Sequence, residues 1–111
     1  MAIDLDGTLL NSRDHRISPR NAAAMQRLIS RGIPVILASG RQYETVVEFA
    51  KHLDLPSTTP LIAYNGAMLR TVGGEMLFHQ ALPPPIAAEI VRCCVAQGQH
   101  LNFSPKGKLY I

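Results

Sequence analysis

Two aspartates, Asp4 and Asp6, are the residues of this chain best suited to chemistry, standing one residue apart in the stretch 2–10, Ala-Ile-Asp-Leu-Asp-Gly-Thr-Leu-Leu. A short apolar run delivers both acids, and Gly7-Thr8 then turns the backbone away. In an extended strand, side chains at i and i+2 share a face, so the two carboxylates are expected to emerge together where the strand ends. Acids that close either repel or share a cation, and each shifts the other's titration. A bare Asp-x-Asp also reads as an acidic turn, so its surroundings decide. Ser39 closes a second apolar run, Ile33 to Ala38, and is followed by Gly40 and Arg41. Its hydroxyl, with the Gly40 amide near a helix start, can donate to a phosphoryl oxygen. It can equally cap the helix that follows, and one position can serve both ends. Arg41 can pair with a substrate anion or hold the loop. Asn65-Gly66 closes a third apolar run and reads either as a turn dipeptide or as a substrate-facing pair.

The elements that must position these groups alternate strand and helix, the pattern of a parallel sheet with crossover helices. A first strand is expected over residues 1–5, followed by a segment over 7–17 anchored by Leu9, Leu10 and Ile17. Ser18 reads as an N-cap and Pro19 as the first helical residue. Ala22, Met25, Leu28 and Ile29 recur at helical spacing, and Gly32 stops the helix. A second strand is expected from Ile33 to Ala38, and a second helix from about Tyr43 to Leu53 with Val46, Val47, Phe49, Ala50 and Leu53 buried. A third strand is expected from Leu61 to Tyr64. The three strand ends then put Asp4, Ser39 and Asn65 on the carboxyl edge of one sheet, where ligands of open α/β folds bind. Beyond them, Ala67–Val72 and Glu75–His79 read as a hairpin around Gly73-Gly74. Pro83-Pro84-Pro85 reads as a stiff linker. Ile86 to Gln97 is expected to be an amphipathic helix with Ile86, Ile90, Val91 and Cys94 on one face, before two short strands at His100–Phe103 and Lys108–Ile111.

Bulk properties exclude more than they assign. At 111 residues and 47% hydrophobic, the chain suits one small globular domain or part of a larger one. Its net charge of +3 is spread over Arg13, Arg16, Arg20, Arg27 and Arg31 around the first helix, which reads as a solvated face. No basic run interleaved with aromatics marks a nucleic-acid surface. No apolar stretch approaches the ~20 residues of a membrane span, and no signal-peptide pattern opens the chain. Cys93 and Cys94 are adjacent, too close for an ordinary disulfide and without metal-ligand spacing, so a cytoplasmic protein is expected. His15, His52, His79 and His100 lack ligand-like spacing and read as surface residues; Met25, Met68 and Met76 read as packing residues.

The set, in its order and spacing, resembles the haloacid dehalogenase-like (HAD) hydrolases, and within them the Cof-type sugar-phosphatase branch. Asp4-Leu5-Asp6-Gly7-Thr8 is similar to the family's first motif, Asp-x-Asp-Gly-Thr after an apolar strand. Ser39-Gly40-Arg41 is similar to the second, and Asn65-Gly66-Ala67 to the branch's Asn-Gly-Ala element. The resemblance covers essentially the whole chain. It implies an α/β fold: a partial three-layer, Rossmann-like core with a parallel sheet over residues 1–80, including a small flap, and the start of an α/β cap domain over 81–111. It implies a Mg²⁺-dependent phosphatase acting on sugar phosphates or similar small phosphomonoesters. Asp4 would be the nucleophile that forms an aspartyl-phosphate, and Asp6 the acid that protonates the leaving alkoxide and then activates water. Asp4 and Asp6 would both bind the Mg²⁺. Ser39, Gly40, Arg41 and Asn65 would face the substrate, a small phosphorylated metabolite, with neither nucleic acid nor membrane as partner.

Two of the family's motifs have no counterpart. Its third is a Lys near the phosphoryl group, and its fourth a Gly-Asp-rich segment that completes the metal site. The aspartates here are Asp4, Asp6, Asp14 and Asp54, so nothing after residue 54 can be that fourth motif. The lysines are Lys51, Lys106 and Lys108, none on a strand that follows a completed cap. The expectation is therefore the N-terminal part of such an enzyme, inactive alone and open to self-association through an exposed sheet edge. A catalytically silent fragment and a phosphomutase relative are the alternatives, because the first motif cannot separate transfer to water from transfer to a sugar. A glycosyltransferase with an Asp-x-Asp metal site needs a preceding nucleotide-binding unit, and only three residues precede Asp4.

Overall fold

In the computed structural model, which describes residues 1–104, the three apolar runs lie side by side as parallel strands. They are β1 (Ala2–Asp4), β2 (Ile36–Ala38) and β3 (Pro60–Ala63). Asp4 pairs in register with Ala38, and Ala38 with Ile62, so all three strands finish at one edge. The expected hairpin follows as β4 (Met68–Thr71) and β5 (Met76–His79), each antiparallel to its predecessor, in a mixed sheet ordered β1-β2-β3-β4-β5.

Parallel neighbours need crossover connections, and two helices supply them: α1 (Pro19–Ser30) and α2 (Tyr43–His52). The Ser18 hydroxyl accepts the Asn21 amide at 3.1 Å and Pro19 opens α1, the capping arrangement its residue types favour. On α2, Tyr43, Val46, Val47 and Ala50 form the buried face. Both crossovers advance the sheet in the same direction, and right-handed connections then put both helices on one face. The Gln26 amide of α1 reaches the Leu53 carbonyl just past α2 at 2.5 Å, tying the two together. Leu5, Leu37 and Leu61 of the sheet side, Val46 of α2 and Leu53 just past it are fully buried. Within the unit Met1–His79 the α/β core is therefore a mixed sheet with one helical layer, two of the three layers expected.

Some boundaries differ from the pattern reading, for visible reasons. β2 starts at Ile36 rather than Ile33, because Pro34 has no amide to donate and the Ile33 amide bonds Leu28 O at the end of α1 (3.0 Å). β3 stops at Ala63 because Tyr64 adopts a left-handed backbone, φ 51°.

The described residues divide into two compact units, Met1–His79 and a second that starts at Gln80. The second contains α3 (Pro84–Ala96), preceded by Pro83. Its expected apolar stripe is not buried: Ile86 and Ile90 are exposed, and Val91 and Cys94 only partly covered. The expected strand at His100–Phe103 is reduced to a single bridge residue, Phe103, and Lys108–Ile111 lies outside the described residues. No helix among the described residues is long and apolar enough to cross a membrane.

Candidate active site

Asp4 is the last residue of β1, and Asp6 lies beyond it in a turn over Leu5–Leu9. Asp6 therefore reaches the edge by a turn and not by strand alternation, a correction to the sequence argument. Asp6 (φ −69°, ψ 122°) and Gly7 (φ 75°, ψ 0°) have the dihedrals of a type II turn, whose third residue needs the positive φ that glycine adopts most readily. The Leu10 amide closes the loop on Leu5 O at 2.9 Å. Leu5 and Leu9 are buried on either side, so the hydrophobic core pins the turn and leaves Asp4 and Asp6 facing water. Residues 10–17 then fold back on themselves through the Leu10–Ile17 bridge and the Asn11 amide on Arg16 O at 2.8 Å. This return brings His15 Nδ1 to 4.0 Å from Asp6 Oδ1.

The two acids sit in different surroundings. The Asp4 carboxylate has no hydrogen bond or ion pair among the described residues. Asp6 is gripped by Arg41, whose Nε donates to Oδ2 at 2.8 Å and Nη2 to Oδ1 at 2.5 Å. The Arg41 hydrogen bonds hold the Asp6 carboxyl below the usual carboxylate range; desolvation opposes this slightly, and the charges of Arg41 and His15 add to it. The same hydrogen bonding raises the Arg41 pKa. Both side chains are well hydrated, so solvent screens the pair. The Arg41 guanidinium also lies over the Phe49 ring, 5.8 Å from its centroid.

Ser39, Gly40 and Asn65 form an interlocked pair of loops. The Ser39 amide donates to Ile62 O (2.9 Å), Asn65 N to Ser39 O (3.1 Å), and Tyr64 N to Arg41 O (3.0 Å). Ser39 is buried, and its Oγ accepts the Arg41 amide at 3.1 Å. That bond is a local turn ahead of α2, whose N-cap is Gln42, so Ser39 does not cap the helix as one reading of it expected, and its hydroxyl proton is left to donate elsewhere. Asn65 has a left-handed backbone (φ 55°), and its side-chain amide lies against Gly40 so closely that a Cβ there would stand 2.7 Å from Oδ1. Glycine at position 40 thus answers a close approach. A groove of about 650 Å³ between residues 11–19 and α2 includes Phe49 but none of Asp4, Asp6, Ser39 or Asn65.

The hard oxygens of Asp4 and Asp6 suit a cation such as Mg²⁺ in kind. In number they fall short: no group of three His, Cys, Asp or Glu that could hold a metal occurs among the described residues. His15 and Phe49 are the neighbours that spacing did not reveal. His15 arrives only because the 10–17 segment doubles back, and Phe49 was legible only as part of the buried stripe of α2.

The family model for haloacid dehalogenase-like hydrolases matches residues 1–111. The phosphatase YwpJ of Bacillus subtilis (strain 168) is 34% identical over 110 residues, covering 99% of this chain and 38% of that protein. The HMP-PP phosphatase of Serratia proteamaculans (strain 568) is 36% identical over 90 residues, 81% of this chain and 32% of that protein. Among solved structures, a haloacid dehalogenase-like hydrolase from Bacteroides thetaiotaomicron superposes with a TM-score of 0.79 at 31% identity, over 87% of this chain and 37% of its own. The chain thus spans about a third of the length of these relatives. Since the family model matches from the first residue to the last, the chain belongs to the haloacid dehalogenase-like hydrolase family.

Proposed function

We propose that the gene product carrying these residues is a Mg²⁺-dependent phosphatase that hydrolyses small phosphorylated metabolites, sugar phosphates among them, through an aspartyl-phosphate. The observation that carries this reading is an unpartnered Asp4 carboxylate at the same sheet edge as the donors of the Ser39-Gly40 loop. A Ser hydroxyl and a free backbone amide suit the non-bridging oxygens of a phosphoryl group. An Asp4 oxygen attacks phosphorus, the bond to the leaving oxygen breaks, and Asp6 gives that oxygen its proton. Water then attacks the phosphoenzyme, Asp6 takes its proton, and the bond to Asp4 breaks to release inorganic phosphate. Asp4 and Asp6 would hold the Mg²⁺, which when bound offsets negative charge on the phosphoryl oxygens. In the ligand-free chain Arg41 favours the carboxylate form of Asp6, the form the second step needs. For the first step Asp6 must take up a proton against that pull. Asn65, whose amide lies against Gly40, would meet the substrate.

The test is phosphate release by the gene product from 4-nitrophenyl phosphate and a panel of sugar phosphates, with and without Mg²⁺. Turnover is expected to need Mg²⁺ and to vanish in Asp4→Asn, because an amide cannot form the phosphoenzyme. Near wild-type hydrolysis by Asp4→Asn would remove Asp4 as the nucleophile.

A further inference from the structure

Arg41, which follows Ser39-Gly40, was expected to bind substrate, but its guanidinium is engaged elsewhere. One full edge of it, Nε and Nη2, is used on both oxygens of Asp6 at 2.8 and 2.5 Å. A planar fork on a planar carboxylate sets both distance and in-plane orientation, which a point charge cannot do. Arg41 is itself held at three places. Its amide donates to Ser39 Oγ at 3.1 Å, its carbonyl accepts the Tyr64 amide at 3.0 Å, and Phe49 lies 5.8 Å from its guanidinium carbon. Asp6, by contrast, sits on a turn whose backbone is anchored through Leu5, Leu9 and the Asn21 side-chain amide on Leu9 O, with its own side chain exposed. The route that ties the Asp6 carboxylate to the Ser39 loop therefore runs through Arg41.

We propose that Arg41 is a positioning residue that fixes the Asp6 carboxylate relative to the Ser39-Gly40 loop, and is not a ligand for the substrate's phosphoryl group. Its catalytic consequence rests on the phosphatase reading above, in which Asp6 moves the proton. Proton transfer needs donor and acceptor within hydrogen-bond reach. Displacing the acid by about 1 Å costs on the order of 10²-fold in rate without weakening substrate capture. Lysine at position 41 would keep the charge and lose the fork, so it should restore little.

Two measurements test this. In an isotope-labelled sample of the chain, the Arg41 Nε–Hε resonance is expected to be protected from exchange, unchanged in Asp4→Asn and lost in Asp6→Asn. A signal indifferent to Asp6→Asn would show that the pair does not form and would overturn the proposal. In the gene product, Arg41→Ala and Arg41→Lys are expected to lower kcat at least about tenfold, with KM nearly unchanged and with unaltered circular dichroism. A raised KM at unchanged kcat would make Arg41 a substrate ligand and overturn it equally. Should the gene product show no turnover that depends on Asp4, the phosphatase reading falls, while the resonance still decides whether Arg41 holds Asp6.

Discussion

Asp4 and Asp6 carry the same functional group in different surroundings. Asp4 ends a strand with its carboxylate unpartnered among the described residues, which suits the nucleophile role proposed for it, whereas Asp6 is locked to a guanidinium. Asp4, Asp6, Ser39, Gly40 and Asn65 were legible in the sequence because short motifs at strand ends carry them. The Arg41–Asp6 fork was not, because it joins residues 35 apart that only the folded sheet brings together. Gly40 shows how tightly the residue scale is set. Its Cα faces the Asn65 amide, and an added Cβ would stand 2.7 Å from Oδ1 and 3.3 Å from Cγ. The Asn65 backbone is held by Ser39 O at 3.1 Å, so the exposed amide must be the part that swings away. Gly40→Ala is therefore expected to cost less than about 1 kcal/mol in stability and yet to lower kcat/KM clearly. Melting curves and phosphatase kinetics on one preparation check this; equal activity would mean that the Asn65 amide has no part in the site.

At the scale of elements, the turn over Leu5–Leu9 matters more to the site than any strand. It was legible as a break after Gly7-Thr8, but its form was not. The i, i+2 rule for strands put both acids on one face, and the chain instead turns at Asp6–Gly7 with Leu5 and Leu9 driven into the core. Hydrophobic burial thus overrode strand alternation at the point where the chemistry sits. The α1 cap, by contrast, was read to the residue, because Ser18-Pro19 is a local signal that needs no tertiary partner. Gly7 has φ 75° and nothing within 4 Å of where a Cβ would be, so substitution there meets strain alone. Gly7→Ala is expected to destabilise the chain by about 1–2 kcal/mol. Gly7→Asn should cost less, since Asn tolerates the left-handed region better. Urea titration of the two variants checks the order. If alanine and asparagine cost the same, the turn does not keep this conformation in solution.

For the whole molecule, the order β1-β2-β3 was legible because each crossover is local, with one helix per parallel pair and a single handedness to choose. The exposure of the α3 face was not, because a helical period shows which residues are apolar and not what covers them; Ile86 and Ile90 are exposed. The same view sets what residues 1–111 can do by themselves. Mg²⁺ demands near-octahedral oxygen ligation and gives up water reluctantly, so two carboxylates hold it weakly, and more weakly still when one is already paired with Arg41. Among the described residues they belong to no group of three acids, histidines or cysteines that could hold a metal. Electrostatic stabilisation of the transferring group is usually the largest catalytic contribution. Lys51 cannot supply it, being exposed in the last turn of α2 and 3.8 Å from Glu48. Purified residues 1–111 are therefore expected to bind Mg²⁺ weakly by calorimetry and to release no appreciable phosphate from 4-nitrophenyl phosphate. Turnover by these residues alone that disappeared in Asp4→Asn would show that two acids and the Ser39 loop suffice.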